Sequence, residues 1–283
     1  MPAADSATRL GGLVAAQARA ETTLLGIAEK PQNEASLRQA LETQAQSLRG
    51  QGVVPEIVVL AGEPIREILN QTSTTNYDFV VIGARRTGST GLYWRSEKTY
   101  QVIKAIPPPV LVAIGERERL KRFLVCTGGK EFIEEAVQLT GKLAAAVGAS
   151  VTLLHVMAEP PAIYADLMRL EEDVDLLLKS HSELGENLRH QKDELEKLGV
   201  PAQVRVRHGI VLEQVFNEAR EGNYDLIVTG SSQARGMFRH YIMGDLTRSI
   251  LNRANCPVLV ARAGKPKAAR TLWKAIKGLF SAR

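Results

Sequence analysis

Three features of this 283-residue sequence predict an α/β protein that consists of two tandem doubly wound domains. Short, nearly continuous apolar runs, such as Phe123–Cys126 and Leu226–Thr229, alternate with longer segments whose apolar residues recur at helical spacing. Runs of this kind are typical of strands that are buried on both faces of a parallel sheet and covered by helices. The same order of runs occurs twice along the chain, which predicts the same sheet twice.

The duplication is evident from four pairs of matching segments. Thr23–Leu25 matches Thr152–Leu154, Gly62–Asn70 matches Gly209–Asn217, Asn76–Gly83 matches Asn223–Gly230, and Pro109–Val112 matches Pro257–Val260. The charged segment Gly115–Arg119 separates the two copies. The domains are therefore predicted at residues 1–116 and 119–264, followed by a tail at 265–283.

The second copy contains a complete set of alternating elements. Its predicted strands are at 123–126, 151–157, 203–206, 226–229 and 258–261, and its predicted helices are at 133–147, 164–198, 211–219 and 246–254. Gly148 is expected to end the first of these helices, because glycine readily adopts the left-handed conformation of a helix C-terminus. A break in the long charged helix is expected near Gly185.

The first copy repeats this order but has no counterpart of the opening strand. When Ala20 is aligned with Ala149, Met1 falls opposite Lys130, just after that strand and its loop. The strand would be central in a doubly wound sheet, so its absence would leave backbone groups unpaired, at ~1–3 kcal/mol for each buried group. Either the chain starts further upstream or another element repairs the sheet.

The bulk composition is that of a globular protein of the cytoplasm. The sequence is 45% apolar and 24% charged, and no apolar run reaches the ~18 residues that a membrane span requires. Cys126 and Cys256 are the only cysteines, which is typical of a reducing compartment and not of a disulfide framework. Asp5 and the lack of a positive region argue against a signal peptide at Leu10–Ala18. The net charge of +5 is too small to predict nucleic-acid binding.

The tail has apolar residues at helical spacing and a basic opposite face. Its apolar residues are Leu272, Trp273, Ile276, Leu279 and Phe280. A basic amphipathic helix can lie on a membrane surface or bind a partner. The alternative is that the tail docks on its own protein or frays in solvent.

The stretch Val228–Asp245 has the composition of a phosphate-binding segment. An apolar strand is expected to end at Thr229, Gly230 is expected to open a glycine-containing loop, and Asp245 or Thr247 begins an amphipathic helix. A helix N-terminus attracts anions through its dipole and free N–H groups, and glycine lets the backbone approach a ligand closely. We therefore expect an anion site in this stretch.

Four motifs of the second copy resemble the universal stress protein domain. They are Phe123-Leu-Val-Cys-Thr-Gly-Gly, Val151-Thr-Leu-Leu-His-Val, Tyr224-Asp-Leu-Ile-Val-Thr-Gly-Ser and Cys256-Pro-Val-Leu-Val. The resemblance covers nearly the whole chain as two tandem copies, of which the first is incomplete. It implies Rossmann-like domains with five-stranded parallel sheets that pair through their last strands, within one chain or in a homodimer.

Some members of that family bind ATP through a loop with the pattern Gly, two residues, Gly, nine residues, Gly and then Ser or Thr. The resemblance therefore implies an ATP site in the second copy, with Mg²⁺ expected only as the companion of the nucleotide. The positions that it assigns to this site, in the loop and at adjoining strand ends, are Thr127, Gly128, Val156, Gly230, Ser231, Ser232, Arg235, Gly236, Gly244, Asp245, Leu246 and Thr247.

This sequence departs from the family pattern at several of those positions. The loop is one residue longer, and its second glycine is replaced near Gln233. Asp245 takes the place of a phosphate-binding hydroxyl residue, and a carboxylate there repels phosphate, although Thr247 and Arg235 could compensate. Gly128 takes the place of an aspartate that contacts adenosine.

In the first copy, Gly83 is kept, but the other phosphate positions are occupied by Arg86, Ser96 and Glu97. Nucleotide binding is therefore expected in the second copy. No Ser/His/Asp set, Cys/His pair or carboxylate dyad occurs at a predicted strand end, so catalysis is not expected. His155 is expected to be a core or rim histidine and not a ligand.

The leading hypothesis is an adenine-nucleotide-responsive binding module of a stress response that associates with a protein partner. The rival is a nucleotide-free scaffold or dimerisation protein that acts through its last strands and tail. An enzyme of nucleotide chemistry is a third class, against which the lack of catalytic residues argues.

Overall fold

The computed structural model describes residues 3–84, 97–127, 134–158, 174–233, 241–242 and 245–262. Its helices are α1 (Ala3–Ala18), α2 (Glu34–Arg49), α3 (Pro64–Thr74), α4 (Glu97–Ala105), α5 (Glu134–Val147), α6 (Val174–Lys179), α7 (Glu183–Lys197), α8 (Val211–Glu221) and α9 (Asp245–Arg253). Its strands are β1 (Thr23–Ala28), β2 (Glu56–Ala61), β3 (Val80–Gly83), β4 (Val110–Ala113), β5 (Arg122–Thr127), β6 (Ser150–Met157), β7 (Ala202–His208), β8 (Leu226–Gln233), β9 (Tyr241–Ile242) and β10 (Val258–Arg262). No helix of this part of the chain is long and apolar enough to cross a membrane.

The second domain is a parallel sheet with the strand order β10-β8-β5-β6-β7. The strands of its centre are buried on both faces; Phe123, Leu124 and Leu226 are 0% exposed. One core lies on the face covered by α5 and α7, and a second core lies on the face that contacts α8 and α9. The predicted α/β, doubly wound fold class is thus confirmed.

The two domains share one sheet, because β4 of the first pairs antiparallel with β10 of the second. Val112 lies opposite Val258, and Val110 lies opposite Val260. All four valines are 0% exposed. At the end of β10, the buried Arg262 donates hydrogen bonds to the carbonyl oxygens of Ile103 and Pro108 in the first domain. This pairing was expected from the family resemblance, whereas the buried arginine was not.

The first domain is divided between two sheets. β1 pairs in parallel with β2 in a separate two-stranded sheet, whereas β3 pairs in parallel with β4. Among the described residues, no strand lies between β1 and β3, where the second domain has β5 between β6 and β8. Helix α1 packs on β3 and β4, and its Leu10 and Val14 are buried in the core that the two domains share.

The local sequence explains where several elements begin and end. Gly148 has a φ of +63°, the left-handed conformation that ends α5 as expected. The predicted break near Gly185 in the long charged helix lies at residues 180–182, where the hydroxyl of Ser182 accepts the N–H of Gly185 at 3.1 Å and thereby caps α7. The part of that predicted helix before Val174 lies outside the described residues.

Candidate functional site

The candidate site lies at the carboxyl edge of the second domain. In this sheet β6 and β7 follow β5 on one side, and β8 lies on the other side. The order therefore reverses between β5 and β8, and ligands of doubly wound sheets bind at the carboxyl ends of strands at such a switch point. Thr127 ends β5, and Gly230 is in the part of β8 that passes this edge. The two predicted site residues therefore flank the switch point.

Gly230 is exposed, and free space lies above it. A methyl group added to its α carbon would meet no atom of the described residues within 4 Å. A neighbouring chemical group could therefore come as close to this backbone as a ligand requires. The same glycine accepts a hydrogen bond through its carbonyl oxygen from the hydroxyl of Thr247, at 3.0 Å. This bond brings the first turn of α9 to the end of the switch point.

The hydroxyl of Thr247 is already used within the protein. A hydroxyl has one proton to donate, and Thr247 donates it to Gly230. The second hydrogen bond, 2.9 Å between the hydroxyls of Thr247 and Thr229, is therefore donated by Thr229. Both residues are buried, at 2% and 3% exposure. Thr247 thus links α9 to β8. In this arrangement its hydroxyl has no further proton to donate to a phosphate, so it does not compensate for the hydroxyl residue that Asp245 replaces.

The glycine loop begins later than predicted. β8 continues through Gln233 instead of ending at Thr229, and its last residues pair antiparallel with β9, Ser232 opposite Ile242 and Gln233 opposite Tyr241. Ser231 lies opposite Arg262 in the parallel ladder with β10. The prediction that Gly230 opens the loop is therefore wrong, because pairing with β10 and then with β9 extends β8 past it. Ser231 and Ser232 lie in this extended strand.

The remaining predicted residues are placed as follows. Asp245 is the first residue of α9, and the half-buried Leu246 packs against the core on the α8 and α9 face. Val156 is half-buried in β6. Gly128, Arg235, Gly236 and Gly244 lie outside the described residues.

His155 lies beside Thr127 at the rim of the site. Its Nδ1 is 3.0 Å from the carbonyl oxygen of Thr127, so Nδ1 carries a proton and donates it. Burial lowers the pKa of His155 below its ordinary value, and the hydrogen bond to Thr127 opposes this shift in part. The imidazole is therefore neutral at pH 7, with Nε2 as its acceptor.

The protonation of the two cysteines and the supply of metal ligands also bear on the chemistry of the site. Burial raises the pKa of the Cys256 thiol to about 11 and also raises that of Cys126, so both thiols are protonated at neutral pH. The residues that the structure describes contain no group of three or more His, Cys, Asp and Glu side chains that could hold a metal ion.

The first domain contacts the site region of the second, which the sequence did not predict. Helix α4 of the first domain packs against β9. The hydroxyl of Tyr100 in α4 donates to Oδ1 of Asn252 in α9, and the guanidinium of Arg248 lies 5.4 Å from the centroid of the Tyr100 ring. Tyr100 was not among the residues that the sequence predicted for the site, because its partner Asn252 is 152 residues away in the chain.

The corresponding edge of the first domain is less complete. Gly83 ends β3 and Glu97 begins α4, so these two predicted positions lie at a strand end and a helix start. Arg86 and Ser96 lie outside the described residues. Without a counterpart of β5 in the described part of the chain, this edge has no second strand to flank a switch point.

Comparison with known proteins gives a consistent result over both halves. A sequence model of the universal stress protein family matches residues 6–113 and 119–262. A universal stress protein of Methanocaldococcus jannaschii is 26% identical over 147 residues, which cover 52% of this chain and 84% of that protein. The universal stress protein YxiE of Bacillus subtilis is 25% identical over 146 residues, which cover 50% of this chain and 98% of that protein.

Among solved structures, the crystal structure of a universal stress protein from Archaeoglobus fulgidus resembles the whole chain. It aligns with a TM-score of 0.64 at 17% identity and covers 92% of this chain and 93% of its own. At this identity the comparison supports the fold alone.

Proposed function

Because this chain belongs to the universal stress protein family, we propose that it is an adenine-nucleotide-responsive binding protein of a stress response. The observation that carries the proposal is the open space above Gly230 at the switch point, together with the start of α9, which the hydrogen bond from Thr247 holds beside that glycine. Helix N-termini at the switch points of doubly wound sheets bind phosphate groups. The ligand class is therefore a nucleoside phosphate such as ATP, accompanied by Mg²⁺.

Backbone groups would carry most of the binding. The proton of Thr247 is donated to Gly230, and Asp245 places a carboxylate where α9 begins. The N–H groups of the first turn of α9, which have no partner within the helix, are then the main donors to phosphate. We expect an affinity lower than that of a site with a phosphate-binding hydroxyl at residue 245.

The response to the nucleotide would pass to the first domain through α4. This helix contacts β9, which pairs with the end of β8, and its Tyr100 is bonded to Asn252 of α9. A ligand bound between the end of β8 and the start of α9 would therefore lie beside the surface that α4 meets. We propose that this change biases association with a protein partner or a second copy of the chain, that the protein acts in the cytoplasm, and that it performs no catalysis.

A ligand-dependent thermal shift tests this proposal. Binding at a hundredfold excess over the dissociation constant stabilises a protein by about 2.7 kcal/mol, so Mg-ATP is expected to raise the melting temperature. Gly230→Val is expected to abolish the shift, because its side chain would occupy the space next to the backbone in which an added Cβ meets no described atom within 4 Å. The matched control is Gly83→Val, which changes the corresponding glycine of the first domain and should leave the shift in place.

The rival function is a nucleotide-free scaffold, which the pairing of β4 with β10 favours because it already joins two domains through buried strands. No shift at millimolar Mg-ATP would refute nucleotide binding and leave the scaffold. A shift that survives Gly230→Val but is lost in Gly83→Val would place the nucleotide in the first domain.

A further inference from the structure

The ladder that joins the two domains is centred on counterpart residues of the two copies. Leu111 of β4 lies opposite Leu259 of β10. These leucines are counterparts, because the repeat matches Pro109–Val112 with Pro257–Val260. An antiparallel ladder with counterparts at its centre has an approximate twofold axis there, as the isologous interface of a symmetric dimer has. In a dimer of identical domains, like residues would therefore meet beside this axis.

The helices beside this ladder meet through unlike residues. Tyr100 is the fourth residue of α4, and its counterpart Arg248 is the fourth residue of α9. The guanidinium of Arg248 lies 5.4 Å from the centroid of the Tyr100 ring. A guanidinium over the face of an aromatic ring is held there by a cation–π attraction. The two copies have thus diverged at a position where they contact each other directly.

The hydroxyl of Tyr100 makes a second contact between unlike residues. It donates to Oδ1 of Asn252, which is 3% exposed. The counterpart of Asn252 is the exposed Lys104. A lysine in the place of Asn252 would offer no acceptor to this hydroxyl and would bring an ammonium group into a buried position, which is costly. A copy of the first domain in the place of the second domain would therefore lose this bond.

The third contact between unlike residues is made at the end of β10. Arg262 is 4% exposed and donates to the carbonyl oxygens of Ile103 and Pro108 in the first domain. Its counterpart in the first domain is Ile114, which is 3% exposed and has no donor in its side chain. Two copies of the first domain would therefore lack the donor that Arg262 supplies to these carbonyl oxygens.

Two copies of the second domain would meet through Arg248 on both sides. Two guanidinium groups would then replace one guanidinium and one ring, so that like charges repel where a cation–π contact now attracts. The ring of Tyr100 would also be lost from the core on the α8 and α9 face, where it is 5% exposed. Each pairing of like domains is thus poorer than the observed pairing of unlike domains.

We propose that α4 and β4 of the first domain and α9 and β10 of the second form a specificity surface, on which each domain accepts the other and rejects a copy of itself. The partner that fits the second domain has an aromatic residue in the place of Tyr100 and carbonyl oxygens that accept from Arg262. Specific pairs commonly combine an attractive contact with a penalty against the wrong partner. This selectivity does not require a nucleotide at Gly230, and a second copy of the chain would bind through another surface.

Both like contacts can be built within the full-length chain. Tyr100→Arg places arginine on both sides, as in a pair of second domains, and Arg248→Tyr places tyrosine on both sides, as in a pair of first domains. In urea unfolding followed by circular dichroism, each single variant should be less stable than the unaltered chain. Tyr100→Arg combined with Arg248→Tyr restores an unlike pair. Its equilibrium constant of unfolding should therefore be at least about threefold smaller than the two single effects together give.

A matched control and a local measurement accompany this cycle. Tyr100→Phe keeps the ring beside Arg248 and loses only the hydroxyl, so it should be more stable than Tyr100→Arg. Hydrogen exchange at the amides of β4 and β10 should be faster in both single variants and slower again in the combined variant. The proposal is overturned by single effects that simply add in the combined variant, or by unchanged exchange at β4 and β10 in both single variants.

Discussion

A buried carboxylate in α8 joins the helix to the sheet of the second domain, and its removal has a calculable effect. The side chain of Glu218 is 3% exposed. Its Oε1 accepts a hydrogen bond from the hydroxyl of Tyr224 at 2.8 Å and lies 3.5 Å from Nε of Arg205, and its Oε2 accepts from Nε of Arg207 at 2.7 Å. Replacement by alanine would leave a buried hydroxyl and a mostly buried guanidinium without this acceptor.

The expected loss of stability follows from these contacts. Hydrogen bonds to charged groups contribute ~1.5–3 kcal/mol each. The lower end applies here, because Arg207 still has Glu221 as a partner and its side chain is 21% exposed. The pair with Arg205, which is 54% exposed, adds little. We therefore expect Glu218→Ala to lower the free energy of unfolding by about 3 kcal/mol, as removal of one partner from a buried network does.

The first domain supplies a natural comparison for this change. At the corresponding position Gln71 donates to the hydroxyl of Tyr77 at 2.9 Å, so an amide serves where the charge is absent. Glu218→Gln should keep the contact with Tyr224 and lose only the charge on the Arg207 side, at a cost of about 1 kcal/mol. Urea unfolding followed by circular dichroism measures both variants. A loss below 1 kcal/mol for Glu218→Ala, or equal losses for the two variants, would refute the reasoning.

Three further predictions concern other parts of the molecule. Thr247→Val should destabilise the second domain by about 1–2 kcal/mol in urea, because it removes the hydroxyl that bonds both Thr229 and Gly230. Glu63→Ala should lower the melting temperature slightly, by the ~1 kcal/mol of an N-cap, because Glu63 accepts two N–H groups at the start of α3. Burial raises the pKa of Cys256 from 9.0 to about 11, so its contribution to stability is full below pH 9 and is lost as the pH rises toward 11. Between pH 7 and pH 10, the free energy of unfolding measured with urea should therefore fall by about 1.4 kcal/mol less for Cys256→Ala than for the unaltered protein.

The features of the fold that depend on burial were predictable from the sequence. The strands of a doubly wound sheet are covered on both faces, so each requires a nearly continuous apolar run. Such runs at Phe123–Cys126 and Val258–Ala261 predicted strands that lie close to the observed β5 and β10. The repeat then transferred the same order of elements to the first half. Gly148 was recognisable because few other residues adopt its backbone conformation without strain.

Features that depend on a distant partner were not predictable. The extension of β8 past Gly230 exists because Ser232 and Gln233 pair with β9, and residues so polar carry no strand signal of their own. The start of α7 depends on which of several nearby residues caps it, and Ser182 does so. At the candidate site, Gly230 and Thr247 were assigned from the pattern, but the sequence could not show that the proton of Thr247 is donated within the protein.

The sequence by itself determined the α/β class, the duplication and the carboxyl edge at which a ligand site is expected, because each follows from short-range patterns of apolar residues and glycine. Only the tertiary structure decided that the strands of the first half are divided between two sheets and that an arginine is buried where the two halves meet. The separation of β1 and β2 from β3 and β4, and the hydrogen bonds of Arg262 to Ile103 and Pro108, arise between segments that are far apart in the chain. Hydrogen bonds between such segments depend on three-dimensional proximity, for which a single sequence contains no local pattern.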